Sequence, residues 1–201
     1  MFARTFGAVA AAALLFGAAP AAAQQFSDSY QFLEAVRKPD GAKVTEYLRD
    51  KTLRIINAKD RSTGEGALHI VTKRSDATYL RFLLQQSDIN PNLQDGRGNT
   101  ALILAAERGW TEGVSILIRY SANVNQANLS GETPLIRAVQ SHDAESVREL
   151  LAAGADPDRT DNVTGKSARD YAREGTRWPA VAKLLADAPK MQRGGGTGPK
   201  L

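Results

Sequence analysis

Gly98-Asn99-Thr100-Ala101-Leu102-Ile103 and Gly131-Glu132-Thr133-Pro134-Leu135-Ile136 are two versions of one six-residue pattern. It recurs at Gly64-Glu65-Gly66-Ala67-Leu68-His69 and, more loosely, at Gly165-Lys166-Ser167-Ala168-Arg169-Asp170. The four glycines are 34, 33 and 34 residues apart. A fixed period of this length marks a stack of structural repeats. The register also holds downstream. Seven positions past each glycine stand Val71, Ala105, Ala138 and Ala172, and sixteen past stand Leu80, Val114, Val147 and Val181. The pairs Leu83-Leu84, Leu117-Ile118, Leu150-Leu151 and Leu184-Leu185 follow at nineteen and twenty.

Each position has a physical reason. Glycine permits the tight turn ahead of a first helix. Thr100, Thr133 and Ser167 offer hydroxyls to the free N–H groups at a helix start. Pro134 suits the first helical turn, where no N–H is needed. The small residues at position seven let neighbouring helices approach closely. The valine and paired leucine positions, three or four apart, share one buried face of a second helix. Gly154 suits a left-handed turn after such a helix.

These motifs resemble the ankyrin signature G-x-T-P-L-H, over about residues 57–187. The resemblance implies an all-α ankyrin-repeat solenoid of about five stacked helix pairs joined by β-hairpin-like loops. The repeats are expected at about 58–91, 92–124, 125–157 and 158–187. A weaker register from Asp28 (Phe32, Ala35, Val44, Tyr47, Leu48) places an N-terminal capping helix pair at 26–56, its helices within 26–50. In the last repeat Arg169 stands at the leucine position and Asp170 at the histidine position; polar residues there fit an end repeat with one face in solvent.

The resemblance also implies roles. His69 is expected to tie neighbouring loops by hydrogen bonds, beside the structural positions Gly64, Gly98, Thr100, Gly131, Thr133, Pro134 and Gly165. Ankyrin domains bind proteins through hairpin tips and the exposed side of the first helices. Here that surface holds Ser62, Thr63, Glu65, Lys73 and Arg74; Arg97, Asn99, Glu107 and Arg108; Leu129, Ser130, Glu132, Gln140 and Ser141; and Val163, Thr164, Lys166 and Glu174. The candidate partner-binding residues are Lys73, Arg74, Arg97, Arg108, Trp110, Leu129, Gln140 and Val163. Leu129 and Val163 put apolar side chains at adjacent tips, and an exposed tryptophan such as Trp110 is a common interface anchor. Packing between repeats is the competing role for Trp110, and packing against the cap is expected of Trp178. His142 stands where the family usually carries glycine and reads as a surface residue.

Residues 1–23 follow the pattern of a secretory signal: Arg4, an apolar run from Phe6 to Ala19, then Pro20 and Ala21-Ala22-Ala23 at the cleavage positions. The run is too short to span a bilayer as a helix. A single arginine argues for the Sec route over the twin-arginine one, and cleavage after Ala23 would leave Gln24 first. The expected destination is the periplasm of a bacterium, or outside the cell, with no membrane span once the signal is removed. Pro189, Gly194, Gly195, Gly196, Gly198 and Pro199 make 188–201 a flexible Gly/Pro/Lys tail.

Of 26 basic residues, Arg4, Lys190, Arg193 and Lys200 lie in the two ends, and the remainder equals the 22 acids. The body is formally neutral, against the basic excess of a nucleic-acid binder. Absence of cysteine excludes disulfides, thiolate metal sites, a cysteine nucleophile and a lipoprotein anchor. The 6% aromatic content and abundant alanine and leucine suit close-packed helices. Two separated histidines make no triad or metal site. Asp156, Asp158 and Asp161 fit a turn better than a calcium loop, which needs a glycine and a closing glutamate. The sequence therefore points to a non-enzymatic, monomeric protein-protein interaction module (scaffold, inhibitor or protector) without cofactor, metal or nucleic acid. The alternative is a secreted effector that binds a host protein.

Overall fold

The computed structural model describes residues 21–190 apart from 51, 52, 54 and 176, with side chains from Asp28 onward. The expected signal peptide lies outside the described residues except for its last three, and the expected tail except for 188–190. Ten helices are described: α1 (Ala21–Arg37), α2 (Gly41–Arg49), α3 (Ala67–Arg74), α4 (Ala77–Leu84), α5 (Ala101–Glu107), α6 (Thr111–Arg119), α7 (Pro134–Gln140), α8 (Ala144–Ala152), α9 (Ala168–Glu174) and α10 (Pro179–Asp187). A short 3-10 turn, Ile55–Asn57, precedes the first repeat.

After α1 every helix has seven to nine residues. Helices this short do not persist alone in water, so packing must hold them. The first helices α1, α3, α5, α7 and α9 lie side by side in one layer, and α4, α6, α8 and α10 form a second. Val71, Ala105 and Ala138 are fully buried between first helices, and Ala172 is 5% exposed. Leu80, Val114 and Val147, with Leu83, Leu117 and Leu150, are fully buried from the second. The last repeat is out of phase: Leu185, not Leu184, is buried with Val181. In the N-terminal pair Phe32, Ala35 and Val44 are buried, and Tyr47 and Leu48 half-buried.

The helix starts carry the expected caps. Thr100 Oγ1 accepts from Ile103 N at 3.3 Å and Thr133 Oγ1 from Ile136 N at 3.2 Å. Ser167 Oγ accepts from Asp170 N at 3.2 Å. A left-handed residue closes α3, α5 and α7, with φ of 55° at Ser75, 62° at Gly109 and 60° at His142.

The loops between repeats are tight hairpins, each closed by backbone bonds such as Asp95 N to Asn99 O (2.9 Å) and Asn128 N to Glu132 O (3.0 Å). Successive tips are joined: Gly96 N donates to Thr63 O, Leu129 N to Arg97 O and Asn162 N to Ser130 O, at 2.8–3.1 Å. At the foot of the hairpins an asparagine series does the same. Asn57 Oδ1 accepts from Asn90 N (2.8 Å), Asn92 Oδ1 from Asn123 N (2.7 Å) and Asn125 Oδ1 from Asp156 N (2.8 Å). The stack is thus clamped outside the apolar core on both sides of each hairpin.

Candidate protein-docking surface

The hairpin tips are held by a recurring acceptor side chain, of which the sequence reading singled out only Asp161 as a turn residue. An aspartate or asparagine three or four positions before each glycine accepts turn amides. Asp60 takes Ser62 and Thr63; Asp95 takes Arg97 and Asn99; Asn128 takes Ser130 and Glu132; Asp161 takes Val163 and Thr164. The signal was visible as Asp60, Asp95, Asn128 and Asp161, each three or four residues before its glycine. Asp60 Oδ1 also accepts from the Ser62 hydroxyl, and Arg37 sits 2.8 Å from its other oxygen. Those hydrogen bonds hold its carboxyl well below the usual carboxylate range. Burial pushes the Asp161 carboxyl up, but hydrogen bonds from Thr164, Tyr171 and Val163 outweigh it and bring it to about 2.

Between the tips and the first helices runs a groove of about 830 Å³, lined in part by Thr63, Lys73, Arg97, Leu104, Glu107, Leu129 and Arg137. Its charges are largely neutralised internally. Lys73 pairs with Glu65, and in the same register with reversed signs Lys166 pairs with Glu174 at 2.8 Å. Arg137 spans two repeats, 2.8 Å from Glu132 and 3.8 Å from Glu107. Arg97 and Arg108 are exposed, and neither guanidinium pairs with a described residue.

The structure sorts the eight candidates. Lys73, Arg97 and Leu129 line the groove, with Arg108 exposed at the end of α5 and Val163 on the next tip. Leu129 and Val163 are 74% and 77% exposed. Arg74 is committed elsewhere: its guanidinium donates to Val36 O at the end of α1 (2.9 Å), pairs with Asp76 (3.2 Å) and lies over the Tyr79 ring. A charge on a first helix therefore need not face the groove when a neighbouring helix offers open carbonyls. Trp110 is half-buried on the core and covers Gly113, where an added Cβ would lie 2.1 Å from its ring. Its ring is spent on packing. Gln140 borders a separate hollow of about 190 Å³ with His142, Tyr171 and Trp178. Asn99 is largely withdrawn into the groove wall: it is 6% exposed and bonded to Asp95 and Asn128. Trp178 is 45% exposed and stacks on His142 at 4.4 Å.

His69 is fully buried. Its Nδ1 accepts from Gly66 N at 3.1 Å and its Nε2 lies 2.9 Å from Asn99 O in the next hairpin, which sets the Nε2–H tautomer. Burial lowers its pKa, so the neutral ring makes these bonds. Arg169 overturns the expectation of a solvated polar residue. It is 7% exposed, 2.8 Å from Asp158 Oδ1, and bonded to the carbonyls of Leu185, Ala188 and Pro189. Asp158 is thereby the partner of an arginine, and Asp156 Oδ1 accepts from Asp158 N at 2.9 Å. No helix among the described residues is long and apolar enough to cross a membrane.

A stack of helix pairs with ordered tips and a groove along one side is a repeat scaffold that offers a preformed binding surface. Residues 68–161 match the family model for ankyrin repeats, in three copies. The chain is similar to BCL-6 corepressor-like protein 1 of Homo sapiens, 30% identical over 64% of this chain and 7% of that protein. It is similar to neurogenic locus notch homolog protein 1 of Danio rerio, 34% identical over 76% of this chain and 6% of the relative. E3 ubiquitin-protein ligase KEG of Arabidopsis thaliana is 33% identical over 49% and 6%. The chain thus spans less than a tenth of the length of these relatives. The chain carries ankyrin repeats over residues 68–161, and such repeats are protein-protein interaction modules.

Proposed function

We propose that this chain is a non-enzymatic interaction module that acts after export, in the periplasm, where it scaffolds, inhibits or protects a partner protein. The groove between the hairpin tips and first helices carries the reading: it crosses repeats, and its walls are fixed by the Asp60, Asp95 and Asn128 turns and by the Arg137 bridge. A surface fixed before binding loses little conformational entropy on docking. Arg97 and Arg108 are the exposed cations at this face that no described acid neutralises, so they are available to a partner.

The reading is tested by capturing partners with the full chain from an extracytoplasmic extract, beside an Arg97→Glu/Arg108→Glu bait of equal thermal stability. A partner retained by the first bait and lost by the second supports groove docking. Equal capture by both assigns binding to another face. The leader pattern of residues 1–23 supports export equally for a secreted effector. Fractionation distinguishes the two: a periplasmic pool supports the first reading, and accumulation in the medium the second.

A further inference from the structure

The joined hairpin tips form a ladder whose last position is used by no described residue. In the first three hairpins the carbonyl just before the glycine accepts an amide from the next tip: Thr63 from Gly96 (2.9 Å), Arg97 from Leu129 (3.1 Å) and Ser130 from Asn162 (2.8 Å). The equivalent carbonyl of the fourth hairpin, Thr164 O, accepts from no described residue. The glycines give the same result from steric contact. A Cβ on Gly64 would come within 2.4 Å of Gly96 N, one on Gly98 within 2.7 Å of Leu129 N, and one on Gly131 within 2.7 Å of Asn162 N. One on Gly165 would meet nothing within 4 Å. The first hairpin, by contrast, is tied to α1 by the Arg37–Asp60 ion pair.

Side-chain chemistry at the open position is unusual for water. Val163 is 77% exposed and Leu129, on the adjoining tip, 74%. The turn behind them is rigid: Asp161 holds the amides of Val163 and Thr164 and the hydroxyls of Thr164 and Tyr171.

We propose that a segment of a protein partner supplies the next rung. Its backbone amide donates to Thr164 O, its main chain lies against Gly165 where each inner glycine meets the following tip, and an apolar side chain covers Val163 and Leu129. The rung residue is not proline, since it must donate. Main-chain bonds would give affinity and the apolar contact selectivity, as in strand addition to a sheet edge. This rests on the protein-docking reading and specifies where on the molecule the partner sits and what it presents.

The test selects a displayed random-peptide library on the immobilised full chain, then measures the enriched peptides by calorimetry. Gly165→Asn keeps a residue that tolerates left-handed backbone while filling the rung space. Both Gly165→Asn and Val163→Asp should weaken binding by about tenfold or more, whereas Arg119→Glu, exposed at the end of α6 in the second layer, should leave it unchanged. N-methylation of one peptide amide should abolish it. Unchanged melting temperatures exclude misfolding of the variants. Peptides that respond only to the Arg97→Glu/Arg108→Glu pair overturn the rung and uphold the groove. Peptides indifferent to every substitution, or a library that yields none sensitive to position 163 or 165, also overturn it. A chain ending at Lys190 that binds the same peptides about tenfold more tightly would assign the rung to the chain's own residues 191–201 instead.

Discussion

At its N-terminal end the stack is closed by a long helix that buries Phe32, Leu33, Ala35 and Val36; at its C-terminal end α10 buries only Val181 and Leu185. Both ends also set an arginine on the open carbonyls of the outermost helix. Arg74 reaches Val36 at the end of α1 and stays half-exposed. Arg169 reaches the end of α10, is nearly buried, and needs Asp158 for charge balance. The difference follows from supply. Where apolar area is ample, the arginine supplements it. Where it is thin, a buried ion pair fixes the position of the last helix.

The largest effect is expected at the apolar end. Phe32→Ala should destabilise the chain by about 3–5 kcal/mol, read as a lower urea midpoint. A loss near that of a surface substitution would mean that α1 contributes little to the cooperative unit.

Arg169→Ala comes next. Removing one member of a buried pair typically costs about 3–5 kcal/mol. Asp158 keeps some contact with water, so about 2–3 kcal/mol is expected. Arg169→Leu restores the residue type of Leu68, Leu102 and Leu135 and should recover part of that loss. If it exceeds the native stability, the pair serves to position α10 rather than to stabilise it.

These ends also mark where the sequence is informative. The inner repeats were legible because apolar spacing, glycine and hydroxyl caps all obey one period, so the repeated helix pairs and their buried positions could be read directly, and the resemblance carried by those motifs implied the all-α solenoid. The role of His69 came from the ankyrin resemblance, not from the period. The site was legible only in part. Arg74, Trp110 and Asn99 occupy positions where inner repeats show a surface, but each is drawn inward by a neighbour: the α1 carbonyls, Gly113 and Asn128. Period fixes which helix a residue belongs to. It does not fix what a side chain finds within reach, in its own repeat or the next. Arg169 was misread because an end position was equated with solvent.

A smaller effect separates the tips. Gly131→Ala adds the left-handed backbone penalty and a clash with the Asn162 backbone, for about 2–3 kcal/mol. Gly165→Ala adds only the penalty, about 1 kcal/mol, since its Cβ position is open. Both have φ near the same value, 79° and 69°, so the gap between their melting temperatures measures the crowding. Equal losses would mean that the fourth tip is covered.

The smallest effect compares His69 with Asp170, which share one register position. Each accepts the amide three residues earlier: Gly66 N on His69 Nδ1 at 3.1 Å and Ser167 N on Asp170 Oδ2 at 3.0 Å. Only His69 has a following repeat and donates onward, to Asn99 O. No described repeat follows Asp170, so an acceptor-only side chain suffices there. Their titrations should differ in range and agree in sign. Burial lowers the His69 pKa below its ordinary 6.5, so on acidification the unfolded chain binds a proton that the folded one refuses. Stability is therefore lost as pH falls below about 6.5 and levels off beneath the folded value. Ser167 lowers the Asp170 pKa through its hydroxyl and amide, so that contribution persists until pH falls below about 3.8. Urea midpoints against pH should show both losses. His69→Ile, which copies Ile103 and Ile136, should remove the first and leave the second. A first loss that survives the substitution would place the near-neutral titration elsewhere in the fold.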